Sequence, residues 1–313
     1  MTRVLTLVAA LFAAAPLLAP DQVSAGSAWP ALVDSAWLRA NLEKPDLVVL
    51  DVRNKLGQAS RKDFEAGHVP GAVYSDYLRA GWRTKVDGIA GQLPPLPQLE
   101  ALIGGLGIGN DSYVVIVAGG QSALDMGSAT RVYFTFKVLG HDAVSVLDGG
   151  WKAYAADPAN PIESGWNTPE PEIFAAKLRP ELLADRVEVA SAVADGTALI
   201  DYRPPPQFEG RAKHPLARRA GTIPGARSLP ESRLTEASGH FTKPETLTGL
   251  LAEIGVAPES ESIAFCNTGH WASLGWFANY ALLGNEKAKL YAGSMVDWTA
   301  MDSAAVEKSC ATC

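Results

Sequence analysis

Short runs of consecutive apolar residues punctuate the chain, and between them lie longer stretches whose apolar positions recur at helical spacing. The runs include Leu47-Val48-Val49-Leu50, Tyr113-Val114-Val115-Ile116-Val117, Ala198-Leu199-Ile200 and Ser262-Ile263-Ala264-Phe265. A strand with one wet face alternates apolar and polar residues, whereas a continuous apolar run implies burial on both faces. A parallel sheet sandwiched by amphipathic helices buries both faces, so the pattern predicts an α/β fold. In such sheets ligands bind beyond the carboxyl ends of the strands, so the residues that follow each run are the ones to inspect for chemistry.

The pattern occurs twice. The strand end Asp51-Val52-Arg53 is answered by Asp201-Tyr202-Arg203, and Gly67-His68-Val69-Pro70-Gly71-Ala72 by Gly221-Thr222-Ile223-Pro224-Gly225-Ala226. The run ending in Val117-Ala118 stands where Phe265-Cys266 stands in the second copy, and Val146 to Trp151 answers Leu290 to Trp298. The markers keep their order at offsets of about 144 to 154 residues, far longer than a solenoid repeat, which indicates a duplicated domain. We place the first domain at 28–156, a Pro-rich linker at 157–182, the second domain at 183–303 and a tail at 304–313.

Composition restricts the function classes. With 47% hydrophobic and 19% charged residues in 313, the chain can core two soluble domains. A net charge of −7 argues against a nucleic-acid or anionic-membrane surface. Residues 1–25 read as a signal peptide: Thr2-Arg3, an apolar stretch from Val4 to Ala19, and small residues at Val23-Ser24-Ala25. A periplasmic or secreted protein with no stable membrane insertion after cleavage is expected.

The chemistry points to Cys266. It ends an apolar strand and opens Cys266-Asn267-Thr268-Gly269-His270-Trp271, read as a six-residue loop that feeds a helix running to Leu283. Loop amides and the helix N-terminus converge there on an anion, so the cysteine is set to react as a thiolate beside a bound anionic group. The other two cysteines, Cys310 and Cys313, form a Cys-x-x-Cys at the end of the chain. Without the following His of a haem site or a second ligand pair for zinc, the reading stays among a disulfide, a sulfur-accepting pair and an inert pair. Ser122, near Ala118, lacks a recognisable base and is not read as a hydrolytic nucleophile.

Taken together, the two Asp-x-Arg strand ends, the two x-Pro-Gly-Ala turns, Leu147-Asp148-Gly149-Gly150-Trp151, and Gly293-Ser294 with Asp297-Trp298 resemble the tandem-domain rhodaneses. These are thiosulfate and 3-mercaptopyruvate sulfurtransferases, and the resemblance runs from about Trp29 to Met301. It implies two rhodanese-like domains, of which only the second is active, with Cys266 carrying a persulfide between a small anionic sulfur donor and a thiol, cyanide or protein acceptor. It further implies no metal, no cofactor and a monomer. Asn267, Thr268, Gly269, His270, Trp271 and Arg203 would contact the substrate, His270 as the loop's charge-capable residue. Arg203 could equally lock neighbouring loops, and Asp201 would support loop amides. The loop departs from the thiosulfate pattern, which carries two basic residues where Asn267 and Thr268 stand. A persulfide carrier without turnover is the alternative; a phosphatase of the same fold is disfavoured because no Arg lies between Cys266 and Ser273.

Overall fold

The computed structural model describes residues 29–309, so the signal-like segment and the Cys310/Cys313 pair lie outside the described residues. The first domain runs β1 (Leu32–Val33), α1 (Ser35–Asn41), β2 (Leu47–Asp51), α2 (Arg61–Ala66) and β3 (Val73–Tyr74). A hairpin of β4 (Thr84–Val86) and β5 (Ile89–Gln92) follows, then α3 (Leu96–Gly105), β6 (Tyr113–Val117), α4 (Ala123–Val138), β7 (Val144–Leu147) and α5 (Gly150–Ala156). The second domain runs α6 (Arg186–Asp195), β8 (Ala198–Asp201), α7 (Pro205–Phe208), β9 (Arg227–Ser228), α8 (Pro244–Glu253) and β10 (Ser262–Phe265). It closes with α9 (His270–Phe277), β11 (Ala288–Leu290) and α10 (Ser294–Trp298).

The strand orders are β1-β7-β6-β2-β3 and β11-β10-β8-β9, every pairing within these two sheets being parallel. Asp51 lies opposite Val117 in the first sheet and Asp201 opposite Phe265 in the second. Ala118 and Cys266 therefore leave their strands at equivalent points.

Both Asp-x-Arg motifs fold into the same staple. Arg53 Nε donates to Asp51 at 2.8 Å and its Nη2 to the Gly67 carbonyl at 2.8 Å. Arg203 repeats this on Asp201 and the Gly221 carbonyl, both at 2.9 Å. Each guanidinium thus ties a strand end to its x-Pro-Gly-Ala turn. A returning segment holds the outside of each turn: Gly71 donates to Glu163 Oε2 at 2.6 Å and Gly225 to Glu307 Oε2 at 2.9 Å. The linker is likewise pinned to the first domain, with Phe174 buried and the Lys177 and Arg179 amides donating to Leu139 and Val138.

The expectation of amphipathic helices fails at α4. Every residue of it except Leu124 is buried, including Asp125, Arg131 and Lys137. One side of α4 packs on its own sheet and another on α9 of the second domain. Phe134 meets Trp276 edge-on at 4.8 Å, Tyr133 meets Phe277 at 4.8 Å, and Thr130 and Ser273 hydroxyls bond at 3.0 Å. The apolar core on this side runs without a break from one domain into the other.

Behind α9, Gly275 lies flat on the buried Tyr202 ring, and a Cβ at this position would overlap the ring. Gly275→Ala should therefore cost about 1–3 kcal/mol through overpacking, despite the better helix propensity of Ala. Urea denaturation would show a lower midpoint; a gain in stability would contradict this packing.

Candidate active site

Cys266 is a free thiol, 1% exposed, one residue past β10. The chain then turns through Asn267 and Thr268 to Gly269, which takes the left-handed conformation (φ 73°) and caps α9. The helix starts at His270, so the loop is shorter than expected and His270 and Trp271 belong to the first helical turn.

Ser294 organises this loop. Its hydroxyl accepts from the amides of Cys266 at 3.0 Å and Gly269 at 3.2 Å, and donates to the Tyr291 carbonyl at 2.8 Å. Ser294 itself is left-handed (φ 51°), a region that costs a non-glycine residue about 1 kcal/mol or more. The first domain has Gly150 there, at φ 59°. The equivalence rests on the ladder: Met295 and Val296 donate to the Cys266 and Asn267 carbonyls, as Trp151 and Lys152 do to Ala118 and Gly119. Trp151 is thus answered by Met295, and Trp298 lies further along. Two otherwise buried, unsatisfied amides explain why a strained serine is tolerated here.

Among the described residues, no acceptor takes the amides of Asn267, Thr268, His270 or Trp271. First-turn amides have no partner within a helix, so the four form a cradle for an anion beside the thiol. In the first domain the corresponding cradle is filled from within. Asp125 accepts the Gln121 amide at 3.0 Å and also faces the amides of Gly119 and Gly120. A carboxylate stands where a bound anion would, and no thiol is present. Ser122 is the N-cap of α4, accepting from the Asp125 amide.

The structure reassigns several expected residues. The His270 ring is turned away from the loop's open amides: it is buried between the domains, its Nε2 against the Leu124 carbonyl at 2.7 Å and its Nδ1 against Tyr77 Oη at 2.8 Å. A carbonyl only accepts, so Nε2 carries the proton and Nδ1 accepts from the phenol. Burial, reinforced by Arg83 and Arg131, pushes the ring's pKa down to about 3, which keeps it neutral. Arg203 is the buried staple described above, its guanidinium held by Asp201 and the Gly221 carbonyl. Asp201 accepts the loop amide of Arg203 at 3.0 Å, together with the Arg203 guanidinium and the Thr222 hydroxyl. Asn267 is buried with its amide nitrogen on Gln207 at 2.8 Å and its Oδ1 unpartnered. Trp271 packs beside the core with its indole N–H unpartnered.

Thr268 reaches the outside. It lines a cleft of about 390 Å³ with Tyr77, Arg83, Lys85, Gly91 and His214, four of these five from the first domain. Among the described residues neither Arg83 nor Lys85 has a carboxylate partner, so the mouth is cationic. Sequence reading missed these residues, and also Glu231, a half-buried carboxyl whose pKa burial raises to about 6. The hairpin and α4 carry no motif; only their position against the cysteine loop reveals them.

Ser294→Ala should leave two buried amides unpaired and cost about 1–3 kcal/mol, with slower alkylation of Cys266; unchanged denaturation and alkylation would refute the role given to its hydroxyl. His270 supplies a pH signature. Its folded pKa of about 3 lies below the unfolded value near 6.5, so the unfolded state takes up the proton first. Its share of stability is complete above about pH 6.5 and is lost as pH falls toward about 3, by up to about 1.4 kcal/mol per pH unit. His270→Gln should flatten the denaturation midpoint over that window relative to the parent.

Comparison with known proteins agrees with the duplicated architecture. A rhodanese-like domain model matches residues 34–157 and again 184–301. A protein of Mycolicibacterium smegmatis described as a thiosulfate sulfurtransferase is 32% identical over 285 residues, which cover 88% of this chain and 97% of that protein. One from Haloferax volcanii with the same description is 28% identical over 290 residues, covering 88% and 96%. The solved structure of SseA from Escherichia coli, in the 3-mercaptopyruvate class, superposes with a TM-score of 0.71 at 27% identity over 85% of this chain and 98% of its own. An anaerobic ergothioneine biosynthesis enzyme from Chlorobium limicola shares the fold, at TM-score 0.74 and 21% identity over 89% and 70%.

Proposed function

The chain belongs to the rhodanese family, and from that premise we propose that it is a sulfurtransferase in which Cys266 carries sulfane sulfur from thiosulfate or 3-mercaptopyruvate to a thiophilic acceptor. The observation that carries this reading is a buried thiol whose own amide is tied to Ser294 while four neighbouring amides stay open. In the first half-reaction the thiolate attacks the outer sulfur of thiosulfate. The Cys–S bond forms, the S–S bond breaks and its electron pair leaves with sulfite. With 3-mercaptopyruvate the C–S bond breaks instead, and the carbon keeps the electron pair and takes the thiol proton to give pyruvate.

The terminal sulfur of the persulfide is anionic at neutral pH, and the cradle amides would stabilise it as they would a developing oxyanion. In the second half-reaction cyanide, a thiol or a carrier protein attacks that sulfur and restores the thiolate. The division into two half-reactions predicts ping-pong kinetics. Arg83 and Lys85 would draw anionic donors toward Thr268 and the loop behind it. The neutral loop and the deep burial of Cys266 support a second reading, a persulfide carrier that loads but does not turn over with small acceptors. Export follows from residues 1–25 alone and is proposed on that basis.

Intact mass of the mature protein after exposure to each donor tests the proposal. A gain of about one sulfur, removed by cyanide and absent from Cys266→Ser, is expected. Loading without catalytic turnover would select the carrier, and no loading from either donor would overturn both readings. Arg83→Ala with Lys85→Ala should raise KM for thiosulfate by about tenfold at low ionic strength, with a smaller effect on kcat and a weaker salt dependence.

A further inference from the structure

Among the described residues three arginines are fully buried, and two of them, Arg53 and Arg203, have carboxylate partners. Arg131, on α4 of the first domain, has none among the described residues. It donates only to main-chain carbonyls: Nη1 to Gly269 at 3.2 Å and Nη2 to Gly91 at 2.9 Å, while Nε finds no partner. Gly269 belongs to the cysteine loop, and its amide shares the Ser294 hydroxyl with the amide of Cys266. Burial lowers the Arg131 pKa only to about 10, so the guanidinium stays cationic at neutral pH.

A buried cation without a counter-ion is costly, and replacing it by an apolar side chain is often neutral or stabilising. Its retention calls for an anion that forms nearby during function. The charged and titratable groups facing this point are few. Tyr77 is a buried phenol held neutral, His270 is a neutral imidazole, and Arg83 adds repulsion. Lys85 and His214 stand further out, at the cleft mouth. Cys266, tied through the Ser294 hydroxyl to the same Gly269 that Arg131 holds, is the remaining neighbouring group that turnover makes anionic.

We propose that Arg131 is the counter-charge of ionised Cys266 and of its persulfide, supplied across the interface by the domain that lacks a nucleophile of its own. This rests on the sulfur-transfer reading and adds to it a positioning residue. It accounts for the neutral Asn267-Thr268 pair: the positive charge that basic residues would provide within the loop comes from α4, behind it. Arg131 also anchors the loop through the Gly269 carbonyl, so charge and geometry must be separated experimentally.

The test is the rate of Cys266 alkylation by iodoacetamide as a function of pH in the full mature protein, for the parent, Arg131→Lys and Arg131→Gln. Arg131→Gln should slow alkylation at pH 7 by at least about tenfold, with the gap closing at alkaline pH, so that the profile's midpoint moves upward. Arg131→Lys should stay within about threefold of the parent. A glutamine variant with an unmoved midpoint overturns the proposal, whatever its overall rate. Should that variant not fold, Arg131→Met in a Cys266→Ala background decides: an unchanged or higher melting midpoint supports a charge kept for function, and collapse marks a structural residue. Alkylation needs no sulfur donor, so a chain that fails to load sulfur can still pass or fail this test independently.

Discussion

The contact on which the rest of the structure depends is the burial of α9 against α4. The helix that begins at the cysteine loop is packed into the sister domain, not exposed on one side as a surface helix would be. Gly127 permits the approach: a Cβ there would lie 2.8 Å from His270 Nε2. Closing that distance desolvates His270 and Arg131, makes the imidazole neutral, and sets the guanidinium on the Gly269 carbonyl. The electrostatics of the cysteine loop are therefore a property of the pair of domains.

The first domain, with Ala118 where the second has Cys266, contributes to the surroundings of the cysteine loop. It supplies one cationic wall of the cleft through the β4–β5 hairpin region, the buried cation on α4, and the Tyr77 hydroxyl that orients His270. What the duplicate halves share is scaffolding: the Arg–Asp staples, the glutamates that clasp the x-Pro-Gly-Ala turns, and the left-handed residue before the last helix. Where they diverge is the cradle. One half has alanine with an internal carboxylate from Asp125; the other has cysteine with amides left open and a serine hydroxyl in place of glycine.

Divergence at so few positions separates a cradle closed by its own carboxylate from one left open beside a thiol. It also explains why Ser294 is strained while Gly150 is not. Only in the copy with the cysteine are two loop amides taken up by a side-chain hydroxyl, and only a side chain with an acceptor does that.

By itself the sequence determined the duplicated α/β fold, the strand end that carries Cys266, and the paired turns, because these depend on local periodicity and on residues close in the chain. Asp201 and Arg203 are two positions apart, so their pairing was legible as a motif, although whether the arginine met substrate or carboxylate was not. The tertiary structure alone decided the fate of His270, which looked like a charged loop donor and proved to be a neutral interdomain strut. It alone brought Arg83, Lys85 and Arg131 to the site from positions more than a hundred residues away in the chain. The physical reason is the same in each case. Charge state and accessibility follow from burial and from the groups packed alongside, and those are set by the meeting of two domains, which no window of sequence contains.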